Sequence, residues 1–127
     1  MEENKIQKYH SAEECPITAT IDVIGGKWKP PIIWLLLKGS MRFGELHKTI
    51  PTMALKVLSR TLKELEADGI IDRKAYPEIP PRVEYSLSQK GESLRQIMTL
   101  MSEWSIEHIM TVAEVSEKNQ IGHLNNL

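Results

Sequence analysis

Between Phe43 and Gly69 the chain reads FGELHKTI, then PTM, then ALKVLSRTLKELEADG, and this stretch constrains the fold more than any other. Phe43, Leu46 and Ile50 recur at helical spacing, and Pro51 stops that helix because proline has no N–H to continue the ladder. In the segment that follows, Leu55, Leu58, Leu62 and Leu65 fall on one apolar stripe. Gly69 stands where a left-handed residue closes a helix. Lys56, Ser59, Arg60 and Lys63 lie on the opposite face. A short helix, a tight turn and a second helix with a basic outer face make the layout of a helix-turn-helix. Two amphipathic helices with a merely solvated charged face read the same way over this stretch alone.

Charge distribution adds weight to the first reading. The 127 residues sum to a net charge of −1, so the chain as a whole is no general binder of polyanions. From Lys38 to Lys63, however, the six cations Lys38, Arg42, Lys48, Lys56, Arg60 and Lys63 meet Glu45 alone, a local balance of +5. From Glu92 onward, Arg95 and Lys118 stand against Glu92, Glu103, Glu107, Glu114 and Glu117, a balance of −3. A confined positive field in an otherwise acidic chain suits contact with phosphate. An apolar share of 41% and a charged share of 26% belong to an ordinary globular domain, and the length suits one modest core. No apolar run approaches the roughly 20 residues that span a bilayer, and MEENKIQKYH is not a signal peptide, so a cytoplasmic location without membrane contact is expected. One cysteine rules out an internal disulfide, which fits a reducing compartment.

Taken in order, residues 1–14 are polar and aperiodic and read as a flexible arm. Cys15-Pro16 reads as a helix start, with Ile17, Ile21 and Ile24 as its buried stripe and Gly25-Gly26 as its end. KWKPPIIWLLLKG places a second helix start near Trp28 or Lys29, because Pro30 and Pro31 fit only a first turn. Its run from Ile32 to Leu37 has no polar break and reads as the central core helix. Met41-Arg42-Phe43 leads into the helix-turn-helix through a short strand. After Gly69 the period changes to two: IIDRKAY and RVEYSLS alternate around the proline-rich PEIPP, which predicts a hairpin with a stiff projecting tip. Ser88 is a candidate cap for a last helix over about 89–117, where Leu94, Ile97, Met101, Trp104, His108, Val112 and Val115 recur near heptad spacing. So long an apolar seam exceeds what a small core covers and predicts a partner helix from a second copy. The fold expected is mainly α with a small β hairpin, a winged helix-turn-helix over residues 15–118 with dimerisation helices at about 15–26 and 89–117. Residues 119–127 read as a flexible tail.

These motifs resemble the HxlR-type transcriptional regulators, winged-helix proteins related to the MarR type. The matching residues are Cys15-Pro16, IGGKW at 24–28, RFGEL at 42–46, LKELEADG at 62–69, Tyr76 and PPRVEYSL at 80–87, with Gly91, Leu94 and Trp104 beyond. The resemblance spans roughly Cys15 to His108, and PPRVEY following LEADG is its most specific part. It implies a homodimer on a palindromic double-stranded DNA operator, with the second helix of the motif in the major groove and the wing near the minor groove. It also implies that the cysteine before the proline is a candidate sensor of oxidants or electrophiles. Two features depart from the family pattern: Ala54 stands where a capping Ser or Thr is expected, unless Thr52 shifts the start, and the pair Pro30-Pro31 replaces aliphatic residues.

Each candidate residue has a plainer reading beside it. Lys56, Ser59, Arg60 and Lys63 either meet DNA or are solvated. Arg42 either holds the DNA backbone or pairs with Glu45, and Arg82 either reaches DNA from the wing or pairs across the hairpin. Cys15 either senses or simply caps and packs; a helix start favours its thiolate, whereas Glu13 and Glu14 oppose it. Ile17, Ile21, Met101, Trp104, His108 and Val112 are the expected dimer residues. His10, His47, His108 and His123 lack ligand spacing, so no metal or other cofactor is expected. No nucleophile–base arrangement or phosphate-binding glycine loop is present, which argues against an enzyme. The competing function is a winged-helix protein-interaction module without DNA contact, and the sequence names no effector.

Overall fold

In the computed structural model, which describes residues 15–110, Cys15 and Pro16 open the first helix, α1 (Pro16–Ile24). Proline is harmless there because the N–H groups of a first turn have no partner within the helix. Gly25 follows for a steric reason: a Cβ at that position would lie 2.4 Å from the Ile21 carbonyl oxygen. Pro30 and Pro31 fall in the first turn of α2 (Lys29–Leu36) and cost it no hydrogen bond. Ile32 and Ile33 are wholly buried and Leu35, Leu36 and Leu37 nearly so, which makes α2 the centre of the core.

A short strand, β1 (Met41–Arg42), leads into α3 (Phe43–Thr49), and a turn joins α3 to α4 (Leu55–Ala67). In that turn the Met53 N–H donates to the Ile50 carbonyl at 3.1 Å and the Met53 side chain is buried, a core residue that no periodicity marks. Helix α4 buries Leu58, Thr61, Leu62 and Leu65. Thr61 is tolerated among them because its hydroxyl donates to the Val57 carbonyl at 2.7 Å. The expected apolar stripe is corrected at its first member: Leu55 is exposed, since the first residue of α4 projects past the core. The helix starts at Leu55 with Ala54 as its cap residue and no side-chain cap, so Thr52 does not take that role. Its far end is closed twice, by Ile70 N–H to Leu65 O at 2.9 Å and Gly69 N–H to Glu66 O at 3.0 Å. That double closure needs a left-handed residue, which Gly69 supplies at φ 74°.

Strands β2 (Ile71–Tyr76) and β3 (Arg82–Leu87) form the antiparallel hairpin, in register from Ile71 opposite Leu87 to Tyr76 opposite Arg82. β1 adds to the other edge of β3, Met41 opposite Tyr85, giving the order β1-β3-β2. Ile71 and Tyr85 turn to the core, so alternation places Lys74, Tyr76, Arg82 and Glu84 together on the outer face.

Beyond the hairpin the expected single helix over about 89–117 is corrected. One turn, α5 (Gln89–Glu92), is separated at Ser93-Leu94 from the long C-terminal helix α6 (Arg95–His108). The break coincides with a contact between segments distant in sequence. Ser88 Oγ accepts from the Gly91 N–H at 3.0 Å and reaches the Ile70 carbonyl at 3.0 Å, pinning α5 beneath the end of α4. Gly91 sits so close that a Cβ there would fall 2.0 Å from the Ile70 oxygen. Leu94 at the break and Met98 of α6 are buried, and Arg95 Nη2 donates to the Leu37 carbonyl at 2.7 Å. The arm, the tail, Val112, Val115 and the expected helix past residue 110 lie outside the described residues.

The stripe of α1 is also corrected. Ile24 is buried, but Ile17 and Ile21 are exposed. They share an apolar cleft of about 480 Å³ with Ile97, Met98 and Met101 of α6. Leu100, Trp104 and Ile106 extend the exposed apolar surface of α6, and the Trp104 and His108 rings lie 5.0 Å apart.

Candidate nucleic-acid interface

The outer face of α4 is built by subtraction. With Leu58, Leu62 and Leu65 committed to the core, Lys56, Arg60 and Lys63, four and then three residues apart, form one exposed stripe, with Ser59 half-buried at its edge. One acid joins this stripe. Arg60 Nε lies 3.7 Å from Glu64 Oε1, and Lys29 Nζ, from the start of α2, lies 3.2 Å from Glu64 Oε2. Glu64 thus ties the outer face of α4 to α2. The i,i+4 spacing of Arg60 and Glu64 is visible in the sequence, whereas the approach of Lys29 is not.

Arg42 is exposed at the junction of β1 and α3. Glu45 meets it through the backbone, its Oε1 accepting from the Arg42 N–H at 2.8 Å. The same contact caps α3, since one first-turn donor is satisfied by an acid three residues on.

Arg82 is placed differently from the other cations. It opens β3 at the base of the wing tip rather than at its apex, and its side chain is 25% exposed. Nη2 lies 3.1 Å from Glu78 Oε1, Nη1 donates to Glu84 Oε2 at 2.9 Å, and the guanidinium carbon stands 3.8 Å from the Tyr76 ring centroid. Lys74 Nζ lies 4.9 Å from the same centroid. The sequence marks Arg82 as a candidate contact, whereas its enclosure by Tyr76, Glu78 and Glu84 is set by the fold.

Cys15 is half-exposed at the start of α1. The backbone N–H groups of Thr18 and then Ile17 draw its thiol pKa down from the ordinary value, against an opposing effect of burial. Among the described residues, no group of three or more His, Cys, Asp and Glu side chains could hold a metal ion, and no helix is long and apolar enough to cross a membrane.

Residues 23–113 match the HxlR-like helix-turn-helix family. The chain belongs to that family. The match begins after Cys15, so the thiol lies outside the span that defines membership. Relatives include the HTH-type transcriptional regulator YybR of Bacillus subtilis, 44% identical over 96 residues that cover 76% of this chain and 77% of that one. Among solved structures, the redox regulator HypR in its oxidised form is 41% identical at a TM-score of 0.71, covering 76% of this chain and 100% of that one. The reduced form of the transcriptional regulator YodB from Bacillus subtilis is 35% identical at a TM-score of 0.69, covering 75% and 94%. This HxlR-like chain is therefore a helix-turn-helix transcriptional regulator and not an enzyme.

Proposed function

We propose that this HxlR-like regulator acts in the cytoplasm as a homodimer on a palindromic DNA operator and responds to oxidants or electrophiles through Cys15. One observation carries the DNA reading: α4 buries one stripe and turns Lys56, Arg60 and Lys63 outward from the other. In this reading α4 enters the major groove, where Lys56, Ser59 and Arg60 meet base edges and Lys63 and Arg42 meet phosphate. The exposed apolar residues of α1 and α6, Ile17, Ile21, Met101 and Trp104 among them, are the surface a second copy covers, with His108 at its edge. Two copies related by a two-fold axis present two α4 helices, which is why the operator is an inverted repeat.

The sensing part rests on the position of Cys15 and the lowered pKa of its thiol. With one cysteine per chain, oxidation joins Cys15 to a thiol of another molecule. Two thiols give up two electrons and two protons to the oxidant and share an S–S bond. Because Cys15 begins the helix that carries Ile17 and Ile21, such a bond shifts how two copies pack and thus the spacing of the two α4 helices.

The test is to sequence the genomic DNA that the purified protein retains and to measure its sedimentation. Retained fragments sharing one inverted repeat, bound by a dimer with affinity that falls steeply as salt rises, are the expected result. Random fragments, or a protein that retains no DNA, would overturn the reading in favour of a protein-interaction module.

A further inference from the structure

Arg82 lies in the wing, where a cation is the obvious partner for phosphate, yet its guanidinium is already engaged. Glu78 and Glu84 take both terminal nitrogens, at 3.1 and 2.9 Å, and Tyr76 takes its face at 3.8 Å. Its Nε is buried without a hydrogen-bond partner, so that donor is closed off from the surface. The bonds run from the first residue of β3 to Glu78 inside the loop, to Glu84 along its own strand and to Tyr76 on the opposite strand. Such a set of contacts closes the base of the tip. Pro77, Pro80 and Pro81, each with φ restricted by its ring, limit the motion of the rest.

Ile79 stands at the apex of this closed tip and is 101% exposed. A single exposed aliphatic side chain is unremarkable on a loose loop. Here it is held at the end of a braced projection that follows directly from α4, and it contributes nothing to the packing of the free chain. We propose that the wing meets the duplex through Ile79 and that Arg82 is a positioning residue which braces the tip and offsets the charge of Glu78. The inference rests on the DNA-binding reading above. The minor groove beside a wing offers sugar C–H surface and a degenerate base code, so an apolar side chain fits it at least as well as a donor does. An unpaired Glu78 would face phosphate there and repel it. Pairing with Arg82 reduces that repulsion without any bond from Arg82 to DNA.

The experiment measures operator affinity over a range of salt for wild type, Ile79→Ser, Arg82→Lys, the double variant and Arg60→Ala, with melting temperatures for each. Ile79→Ser removes no intramolecular contact, so it melts as wild type does. It weakens operator binding by about ten- to a hundredfold, the weight of burying about half an aliphatic side chain at each of two half-sites. Its salt slope is unchanged because no counterion is released at an apolar contact. Arg82→Lys keeps the charge but loses the planar fork and the stacking. It weakens binding to a similar degree, and the double variant is no worse than either single one because both act on the same contact. An Ile79→Ser variant that binds as wild type does overturns the proposal, as does an Arg82→Lys variant that binds fully. If Arg60→Ala is also without effect, or wild type binds no DNA, the DNA reading itself has failed; if Arg60→Ala is impaired, only the wing assignment has.

Discussion

Replacing Arg60 with alanine separates DNA contact from mere solvation on the outer face of α4. The Arg60 side chain is 68% exposed, and its 3.7 Å approach to Glu64 is the kind of surface pair that contributes between nothing and about 1 kcal/mol. Glu64 is not orphaned by the change, because Lys29 stays 3.2 Å from its other oxygen. Alanine is also at least as good a helix former as arginine. The variant should therefore keep its stability within about 0.5 kcal/mol, a shift of roughly 2 °C in Tm for a chain of this size. DNA affinity is a different matter. A side chain that reads a base edge costs about 1–3 kcal/mol per half-site when truncated, so a dimer on two half-sites loses about 2–6 kcal/mol. That is roughly 30-fold to more than ten thousandfold in Kd. The loss should be larger on the operator than on a scrambled duplex of equal length. If Arg60 meets phosphate alone, both duplexes weaken equally, and the slope of log affinity against log salt becomes shallower by about 0.9 per half-site. Fluorescence anisotropy on both duplexes at two salt concentrations, beside a thermal melt, distinguishes these cases. A folded variant with wild-type affinity at both salts would refute the reasoning and remove this face from the interface.

Two further expectations follow from helix starts. Ala54 already has the extended backbone of a cap residue, φ −63° and ψ 145°, and is exposed, so Ala54→Ser should supply the missing acceptor to the first turn of α4. The gain should be about 1 kcal/mol, seen as a rise of roughly 3–5 °C in Tm, and an unchanged melt would mean the serine does not cap. The N–H groups of Thr18 and then Ile17 lower the pKa of the Cys15 thiol, so its thiolate persists to lower pH when folded than when unfolded. The rate of alkylation by iodoacetamide against pH should therefore have a lower midpoint in buffer than in denaturant. By linkage, the stabilising effect of that thiolate is present above the unfolded thiol's pKa and fades as pH falls through the folded value. Coincident midpoints would show that the helix start does not act on the sulfur.

Local chemistry was legible from the residues themselves. Pro16 and the Pro30-Pro31 pair mark helix starts, Gly69 marks a helix end, and the change from period 3.6 to period 2 after Gly69 marks the hairpin. These signals depend on φ restriction and side-chain spacing, which act over a few residues and need no knowledge of the rest of the chain. For the same reason the basic stripe Lys56, Arg60, Lys63 could be placed opposite the leucines before any fold was known. What tertiary structure decided were contacts between segments distant in sequence and the coverage of each apolar face. Periodicity says that Ile17, Ile21 and Ile24 share a side of α1, but only the packing shows that Ile24 alone is covered. Heptad spacing runs on through Ser93-Leu94, where the helix is interrupted beside the contacts of Gly91 with Ile70 and of Arg95 with Leu37. The pattern PPRVEY supplied a cation but could not say that Tyr76, Glu78 and Glu84 enclose it, because strand register, not residue order, brings Tyr76 opposite Arg82. Spacing along one segment is a property of the local backbone. Which neighbours fill the space around it is set only when the whole chain closes around Ile32 and Ile33.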